Sequence, residues 1–486
     1  MKNIIKVIEN NGAMLSSDIA EEVSKITGEN HATIRRKISR ECTKKDSLLG
    51  HLNLKFPHKE NFIYLKSQGF NEEFFTNLKN AANKTRSVYS YILNAFDCTN
   101  GVIKYNKACI LSGSPSKIKG HIGYNTIIEN LKNLNLCSEV IFNENPYLHY
   151  SINTNRTAAL AQEKIEEHLI EMIKDWIVKN SFSSSGVLMK NDEYASFKWD
   201  ITAPSYLYFI RKNEKPGFIV VDVIYNTIDE NTIRYFINKI NITKNLKNVP
   251  KAIPILLGKY FTPEALKLAK QQGIIATTPA NLFGLSTANL FENLFKVLIN
   301  AGTIAAENFA QFMELFNKLD AIKGASLNLA GDLFEFVVGH CYKKIEGGSL
   351  DIGRVIKYDG QEKEFDVILR TNRNEHYYIE CKGYGRSHLV DQAEVKKFLD
   401  KISFIRDWYK ALKPTEQPRF KFGYITTSDF NDDARELLEN YKNKTTKYDI
   451  FYMNGKNFSD LVKSSNITDA SNIINVLNQH YFKIDL

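Results

Sequence analysis

The sequence predicts a multidomain protein that combines α/β and α+β domains, on the strength of three observations. The chain has 486 residues, which is too many for one hydrophobic core and suggests three or four domains. Helices and apolar strands alternate from Thr154 onward, whereas short helices and hairpins precede it. A strand-helix-strand unit occurs twice, at residues 252–290 and 420–464. We expect domains at residues 1–68, 69–153, 154–285 and 325–486, and a helical bridge at 286–324.

Composition excludes several classes of protein. Hydrophobic residues make up 43% of the chain and charged residues 24%, and no apolar run is long enough to cross a membrane. The charged first residues do not form an export signal, so we expect a cytoplasmic protein without a membrane partner. The six cysteines never occur as C-x-x-C, which argues against a disulfide framework and a zinc site. The motif G-x-x-x-x-G-K-[ST] is absent, so no nucleotide cofactor is expected.

Residues 1–68 have the order of elements of a winged helix. Helix one is KNIIKVIENNG, helix two follows a Ser16/Ser17 cap and closes at Gly28, and helix three starts from an Asn30 cap. The stretch LNLKFPHKENFIYLK is then the hairpin. This order predicts a DNA-binding domain whose third helix enters a groove.

Helix three is the candidate for DNA contact because it is rich in basic side chains. The candidate DNA-binding residues are Arg35, Arg36, Lys37 and Arg40. The net charge of +9 lies mainly in the amino-terminal third, where residues 1–155 hold 20 Lys and Arg against 14 Asp and Glu. The alternative is a solvated basic face on a small helical domain.

Residues 69–153 predict a second winged helix. A long helix from Asn71 to Phe96 is followed by GYNTIIENLKNLNLC as a candidate recognition helix and LCSEVIFNENPYLHYSI as a wing. Candidate phosphate contacts are Lys104, Lys107, Lys117, Lys119 and Lys132. The same pattern of elements also serves dimerisation or scaffolding, and that alternative stays open.

A catalytic constellation is predicted in the carboxy-terminal third. Glu335 lies on a predicted helix, Asp366 on a strand, and Glu380 and Lys382 on the next strand, where alternate residues share a face. Two carboxylates, with the backbone carbonyl of Cys381 and with Glu335, suit a hard cation such as Mg²⁺. Lys382 would then orient or deprotonate the attacking water and offset charge on a phosphate.

These residues resemble the PD-(D/E)XK, or restriction-endonuclease-like, nuclease superfamily. The resemblance covers roughly residues 325–465 and includes Gly331, Phe334 and Glu335, which look like the family's G-x-x-x-E helix start. It implies an αβββαβ core, DNA as the partner, and Mg²⁺ as the cofactor, with Mn²⁺ able to substitute. The chain departs from the pattern in that Phe365, and not proline, precedes Asp366, a departure that many members share. The alternative is a salt-bridged strand pair.

An earlier, degenerate copy of this centre is predicted in residues 154–285. A helix with three glutamates precedes Asp200 and Asp222, and Ile224 stands where the catalytic lysine would be expected. The glutamates are Glu163, Glu166 and Glu167. The alternative is an unrelated α/β domain whose Asp200 and Asp222 are surface residues. Since cutting a duplex needs two centres, a single intact centre suggests a homodimer.

The resemblance implies a Mg²⁺-dependent DNA endonuclease of the restriction or phage-defence type, targeted by amino-terminal winged helices. The layout of domains is similar to that of Mrr-type restriction endonucleases, which is an analogy of order only. One alternative is a repair or recombination nuclease that acts on branched or single-stranded DNA. Another is a DNA-binding regulator with a non-catalytic nuclease fold, against which the intact Asp366, Glu380 and Lys382 argue.

Overall fold

The structure is a computed structural model that divides into two compact units. One comprises residues 1–140 and 145–283, and the other comprises residues 141–144 and 284–486. All residues are described except 45, 55, 143–144, 208–209, 212–214, 248, 300–325, 385–387, 414, 416–417, 466, 468–469, 479–481 and 483–486. Within the described residues, no helix has the length and apolar character needed to cross a membrane.

Residues 1–68 form three helices and a small sheet with the strand order β1-β3-β2. The elements are α1 (Lys2–Asn11), β1 (Met14–Leu15), α2 (Ser16–Thr27), α3 (His31–Cys42), β2 (Leu49–His51) and β3 (Phe62–Leu65). Helix α3 begins after Asn30 as predicted, and the Asn30 side chain accepts a hydrogen bond from the N–H of Ala32.

The start of α2 differs from the prediction of a serine cap. Ser16 is itself helical, and its hydroxyl donates to Glu60 Oε2 at 2.8 Å. The same carboxylate oxygen accepts the N–H of Ser17 at 3.1 Å. A hairpin carboxylate therefore stabilises the amino terminus of α2, which is a long-range contact that local sequence does not show.

Residues 69–153 repeat this arrangement after one extra helix. The elements are α4 (Glu72–Thr85), α5 (Tyr89–Cys98), β4 (Val102–Lys104), α6 (Tyr105–Leu111), α7 (Tyr124–Asn133), β5 (Cys137–Phe142) and β6 (Asn145–Tyr150). The strand order β4-β6-β5 again places the last strand in the middle. The long helical stretch predicted from Asn71 to Phe96 consists of two helices, because Arg86 adopts a left-handed conformation with φ 54° and ends the first of them.

The rest of the first unit is built on a five-stranded sheet with the order β11-β10-β9-β8-β7. The elements are α8 (Arg156–Lys179), β7 (Met189–Tyr194), β8 (Phe197–Pro204), β9 (Phe218–Ile228), α9 (Arg234–Asn245), β10 (Ala252–Phe261), α10 (Pro263–Gln272), β11 (Ile275–Thr277) and α11 (Pro279–Phe283). Strands β7, β8 and β9 are antiparallel, whereas β9, β10 and β11 are parallel. One apolar core includes Phe96 and Ile128 together with Trp199 and Phe236, so this sheet and residues 69–153 are packed as one body.

The second unit contains a sheet with the order β12-β13-β14-β16-β18. Its elements are α12 (Leu285–Ile299), α13 (Ser326–Glu346), β12 (Ser349–Tyr358), β13 (Gln361–Arg370), β14 (Glu375–Lys382), β15 (Leu389–Val390), α14 (Gln392–Leu412), β16 (Arg419–Thr426), β17 (Asp429–Phe430), α15 (Asp432–Lys444), β18 (Asp449–Met453), α16 (Gly455–Ser464) and α17 (Ala470–Val476). Strands β12, β13 and β14 are antiparallel, and β14, β16 and β18 are parallel. Of the predicted bridge at 286–324, residues 300–324 lie outside the described residues, and α12 covers all of the remainder.

The two large sheets have the same order of elements and the same strand directions. In each, a long helix precedes three antiparallel strands, and a helix leads to each of two further parallel strands. The prediction of a multidomain mixture of helices and sheets is thus confirmed. In the second unit, helix α14 connects the antiparallel strands to the parallel ones, and a capping box of Asp391 and Glu394 sets where it begins.

Candidate active site

Three of the predicted site residues converge where β13 and β14 pair. Asp366 Oδ2 accepts a hydrogen bond from the backbone N–H of Cys381 at 2.7 Å. Lys382 Nζ lies 2.8 Å from Glu380 Oε1 and 3.6 Å from Asp366 Oδ2. Because Glu380 and Lys382 are two residues apart on one strand, both side chains project on the same face as the neighbouring carboxylate. The strand pair therefore presents two carboxylates and an ammonium group as one cluster.

A second lysine, which sequence analysis missed, completes this cluster. Lys401 extends from α14, and its Nζ lies 2.5 Å from Glu380 Oε2. The two lysines thus hold opposite oxygens of one carboxylate. Lys401 lies three residues after Phe398 and four before Ile405, both buried. A lysine on the apolar face of an amphipathic helix is the signal that could have identified it.

The pKa values of the two carboxylates in the cluster shift in opposite directions. Burial by itself would raise the pKa of Glu380, but the ammonium groups of Lys382 and Lys401 outweigh burial and lower that pKa to about 2. Burial and the charge of Glu380 raise the pKa of Asp366. The pKa of Lys382 is raised because the two carboxylates outweigh its burial. Without a further cation, Lys382 is therefore protonated and acts as a hydrogen-bond donor.

The donor set suits a small hard cation. The carboxylates of Asp366 and Glu380 and the carbonyl of Cys381 are oxygen ligands of the kind that Mg²⁺ prefers. Among the described residues, no group of three or more His, Cys, Asp or Glu side chains is arranged to hold a metal ion by itself. The Tyr424 hydroxyl is buried without a hydrogen-bond partner within the same described residues, and its charged neighbours include Lys382 and Glu380. An oxygen of water or phosphate can satisfy that hydroxyl.

Glu335 is placed on α13, beside the strand that carries the cluster. Burial first, then the charges of Asp366 and Glu335, raise the pKa of the Cys381 thiol. Glu335 is therefore close enough to act electrostatically on β14 from the neighbouring helix.

The four candidate DNA-binding residues are not equivalent in the structure. Arg35 pairs with Glu60 at 3.1 Å, so it joins α3 to the hairpin, and Lys37 pairs with Glu29 at 2.5 Å. Arg36 and Arg40 are exposed. Between α3 and the hairpin lies a cleft of about 350 Å³ whose lining includes Arg35 and Arg36. Arg36 and Arg40 are therefore more accessible to a phosphate than Arg35 and Lys37, which are paired with carboxylates.

The prediction that the lysines of residues 69–153 contact phosphate requires correction. Lys104 pairs with Glu163 at 2.9 Å, and Lys132 pairs with Glu139 at 2.7 Å. Lys107 is directed inward, with Asp200 as one of its partners. These three ammonium groups are engaged by carboxylates of the same unit. Lys117 and Lys119 are the exposed members of the set.

The first unit has an ion cluster at the corresponding place in its own sheet. Asp200 and Asp222 are 2% and 0% exposed, so the alternative that they are surface residues was wrong. Lys239 of α9 lies with its Nζ 2.7 Å from Asp222 Oδ2 and 3.7 Å from the centre of the Trp199 ring. Ile224 is fully buried and contributes no charge. Lys239 was missed for the same reason as Lys401, since it too lies on the buried face of its helix.

Comparisons with known proteins leave the family open. No family model matches the chain, and no curated protein matches it. Solved structures that match in part include "a repair endonuclease from Pyrococcus abyssi", at 11% identity and a TM-score of 0.19, covering 27% of this chain and 51% of that one. Another is the "EndoMS-dsDNA2 complex", at 12% identity and a TM-score of 0.19, covering 28% and 51%. The match spans about half of each structure, and TM-scores this low do not establish a shared fold.

Proposed function

We propose that this protein is a Mg²⁺-dependent DNA endonuclease that hydrolyses phosphodiester bonds. The observation that carries the proposal is the convergence of Asp366, Glu380 and Lys382 on paired strands β13 and β14. The elements around them run helix, three antiparallel strands, helix, strand, which is the αβββαβ order that the PD-(D/E)XK resemblance implies. A plain salt-bridged strand pair needs only one lysine and one carboxylate, whereas this cluster combines two of each.

Each residue of the cluster has a chemical task in this proposal. Asp366, Glu380 and the carbonyl of Cys381 would hold Mg²⁺, and Mn²⁺ can substitute; the bound ion polarises a phosphate oxygen and acidifies water. Lys382 offsets negative charge on the phosphate and orients the attacking water by donating a hydrogen bond. Lys401 is a positioning residue, since it holds the second oxygen of Glu380. Glu335 would hold a water at the edge of the site.

Residues 1–68 and 69–153 are proposed to be winged helices that bring the nuclease to DNA. Both have the strand order of a three-helix domain with a wing, and α3 has exposed basic side chains. We assign the protein to restriction or phage defence in the cytoplasm, by analogy of layout with Mrr-type enzymes. Repair of branched or single-stranded DNA is the competing assignment, and a non-catalytic regulator is disfavoured by the complete cluster of Asp366, Glu380 and Lys382.

Incubation of the full chain with supercoiled plasmid and Mg²⁺ tests the proposal. We expect cleavage that EDTA stops, and that Asp366→Asn abolishes because one anionic ligand is lost. Methylated, unmethylated, branched and single-stranded substrates, compared at equal enzyme concentration, separate restriction from repair. The proposed homodimer would be supported if the rate of forming linear plasmid rises more steeply with enzyme concentration than the rate of forming nicked plasmid. Absence of Mg²⁺-dependent cleavage on every substrate would overturn the enzyme assignment.

DNA binding is expected to depend on Arg36 and Arg40. Replacing both with Ala should weaken binding to all duplex sequences and reduce the slope of log affinity against log salt by about 2, as expected for two lost phosphate contacts. Fluorescence anisotropy with a labelled duplex in Ca²⁺, over a range of salt concentrations, measures this effect. Lys25→Ala is the matched control, because Lys25 is an exposed cation on α2. An unchanged salt slope in the double variant would place DNA recognition elsewhere.

A further inference from the structure

The cluster of Asp366, Glu380 and Lys382 in the second unit and the ion cluster of the first unit share one equivalent hydrogen bond. In the second unit, Asp366 Oδ2 accepts from the N–H of Cys381 at 2.7 Å. In the first unit, Asp200 Oδ2 accepts from the N–H of Val223 at 2.8 Å. Each bond joins the second strand of its sheet to the third, so the two aspartates correspond, and so do the two backbone amides.

This alignment fixes the remaining correspondences. Asp222 takes the place of Glu380, and Ile224 takes the place of Lys382. Lys239 from α9 holds the Asp222 carboxylate at 2.7 Å, as Lys401 from α14 holds that of Glu380 at 2.5 Å. The first unit therefore keeps the carboxylates and the helix lysine, and lacks the strand lysine.

The ammonium group of Lys107 lies among the oxygens of this first cluster. Its Nζ is 2.6 Å from Asp200 Oδ2, 2.5 Å from the carbonyl of Val223 and 3.2 Å from Glu166 Oε2. Lys107 belongs to α6 and is 93 residues away from Asp200 along the chain. The partners of Lys107 are thus an aspartate, a backbone carbonyl of the next strand and a glutamate on the preceding helix. The second unit offers groups of the same kinds, which are Asp366, the carbonyl of Cys381 and Glu335.

We propose that the first sheet retains a cation site, and that the ammonium group of Lys107 is its permanent occupant in place of a metal ion. The contacts of Lys107 stand independently, while the comparison with a metal centre rests on the proposed function. Two other oxygens in the cluster are engaged by internal donors: Glu166 Oε1 accepts from the N–H of Tyr225, and Asp222 Oδ1 accepts from the N–H of Asp200. In this proposal, Lys107 attaches α6 to the sheet of the first unit without a metal ion, and this unit does not cut DNA.

The site is open to an ion from solvent once the lysine side chain is removed. A cavity of about 90 Å³ is lined by Lys104, Lys107, Glu166 and Asp200, among other residues. Truncation of Lys107 to Ala adds the volume of its side chain to this cavity and leaves the Asp200 and Glu166 oxygens facing it. Removing the ammonium group also leaves buried negative charge uncompensated, so a divalent cation is the natural replacement.

The test is to count bound Mn²⁺ by electron paramagnetic resonance in the full chain. All proteins carry Asp366→Asn, which removes an anionic ligand from the second unit, and Asp366→Asn alone sets the baseline. We expect Lys107→Ala to add one Mn²⁺ per chain, and Lys107→Ala with Asp200→Asn to add none. Lys104→Ala is the matched control, because it removes a lysine from the same cavity whose partners are Glu163 and Glu167.

Thermal unfolding supplies a second readout that does not depend on cleavage. We expect Mn²⁺ to raise the melting temperature of the Lys107→Ala protein and to leave that of the Lys104→Ala protein at its baseline response. If Lys107→Ala unfolds in EDTA, refolding in Mn²⁺ should recover it. A folded Lys107→Ala protein with no added Mn²⁺, or an unfolded one that Mn²⁺ does not recover, would overturn the proposal. Neither result depends on whether the second unit cleaves DNA.

Discussion

Lys382→Met is expected to slow Mg²⁺-dependent plasmid cleavage by about 10²- to 10⁴-fold, the range for loss of a group that assists proton transfer or charge development. The substitution removes an ammonium group 2.8 Å from Glu380 Oε1 and 3.6 Å from Asp366 Oδ2, while methionine keeps most of the apolar stem. In the proposed mechanism, the phosphate would then lose the ammonium group that offsets its negative charge. Initial cleavage rates at saturating Mg²⁺ measure the effect.

Two controls isolate the chemistry of Lys382 from folding and binding. Lys396→Met removes an exposed lysine of α14 that donates to Gln392, and it should cleave at the wild-type rate. Binding of a labelled duplex in Ca²⁺ should persist in Lys382→Met, since DNA affinity is proposed to come mainly from residues 1–153. Wild-type cleavage by Lys382→Met would remove Lys382 from the mechanism.

Lys239→Met is expected to destabilise the first unit by about 3–5 kcal/mol, the usual cost of removing one partner of a buried ion pair. Lys239 and Asp222 are 1% and 0% exposed, and their atoms are 2.7 Å apart. Burial raises the pKa of Asp222 and lowers that of Lys239, and the charge of each opposes the shift in the other. Loss of the lysine leaves Asp222 buried beside Asp200 without this compensation.

Urea unfolding monitored by tryptophan fluorescence measures this change in the free energy of unfolding. Trp408→Phe in all proteins leaves Trp176 and Trp199, both in the first unit, as the reporters. Lys244→Met is the matched control on the same helix, because Lys244 is exposed and donates to the carbonyl of Gln272. Pairing Lys239→Met with Asp222→Leu should restore only part of the lost stability: the uncompensated buried charge is removed, but the N–H of Asp200 loses its acceptor, Asp222 Oδ1. Equal stability of the Lys239→Met and Lys244→Met proteins would contradict a stabilising role for the buried pair.

Much of the local architecture could be predicted because its causes are local. The side-chain oxygen of Asn30 predicts where α3 begins, and the alternation of a strand predicts that Glu380 and Lys382 share a face. The recurrence of strand-helix-strand units predicted two α/β regions, and the structure has two sheets of the same order. The break at Arg86 could not be predicted from helical periodicity, because it depends on a single left-handed residue.

The sequence by itself determined which residues can do chemistry: two carboxylates and a lysine at a spacing that places them on adjoining strands. Only the tertiary structure decided how the charges are compensated, because an ion pair forms between groups that are close in space, whatever their separation in the chain. Lys401, Lys239 and Lys107 lie on helices far from their carboxylates in sequence, and packing alone brings them within 2.5–2.7 Å of them. Burial makes those contacts energetically decisive, since a buried carboxylate requires a partner. In the second unit, packing places Lys382 and Lys401 around a candidate metal site. In the first unit, it places Lys107 inside the corresponding site.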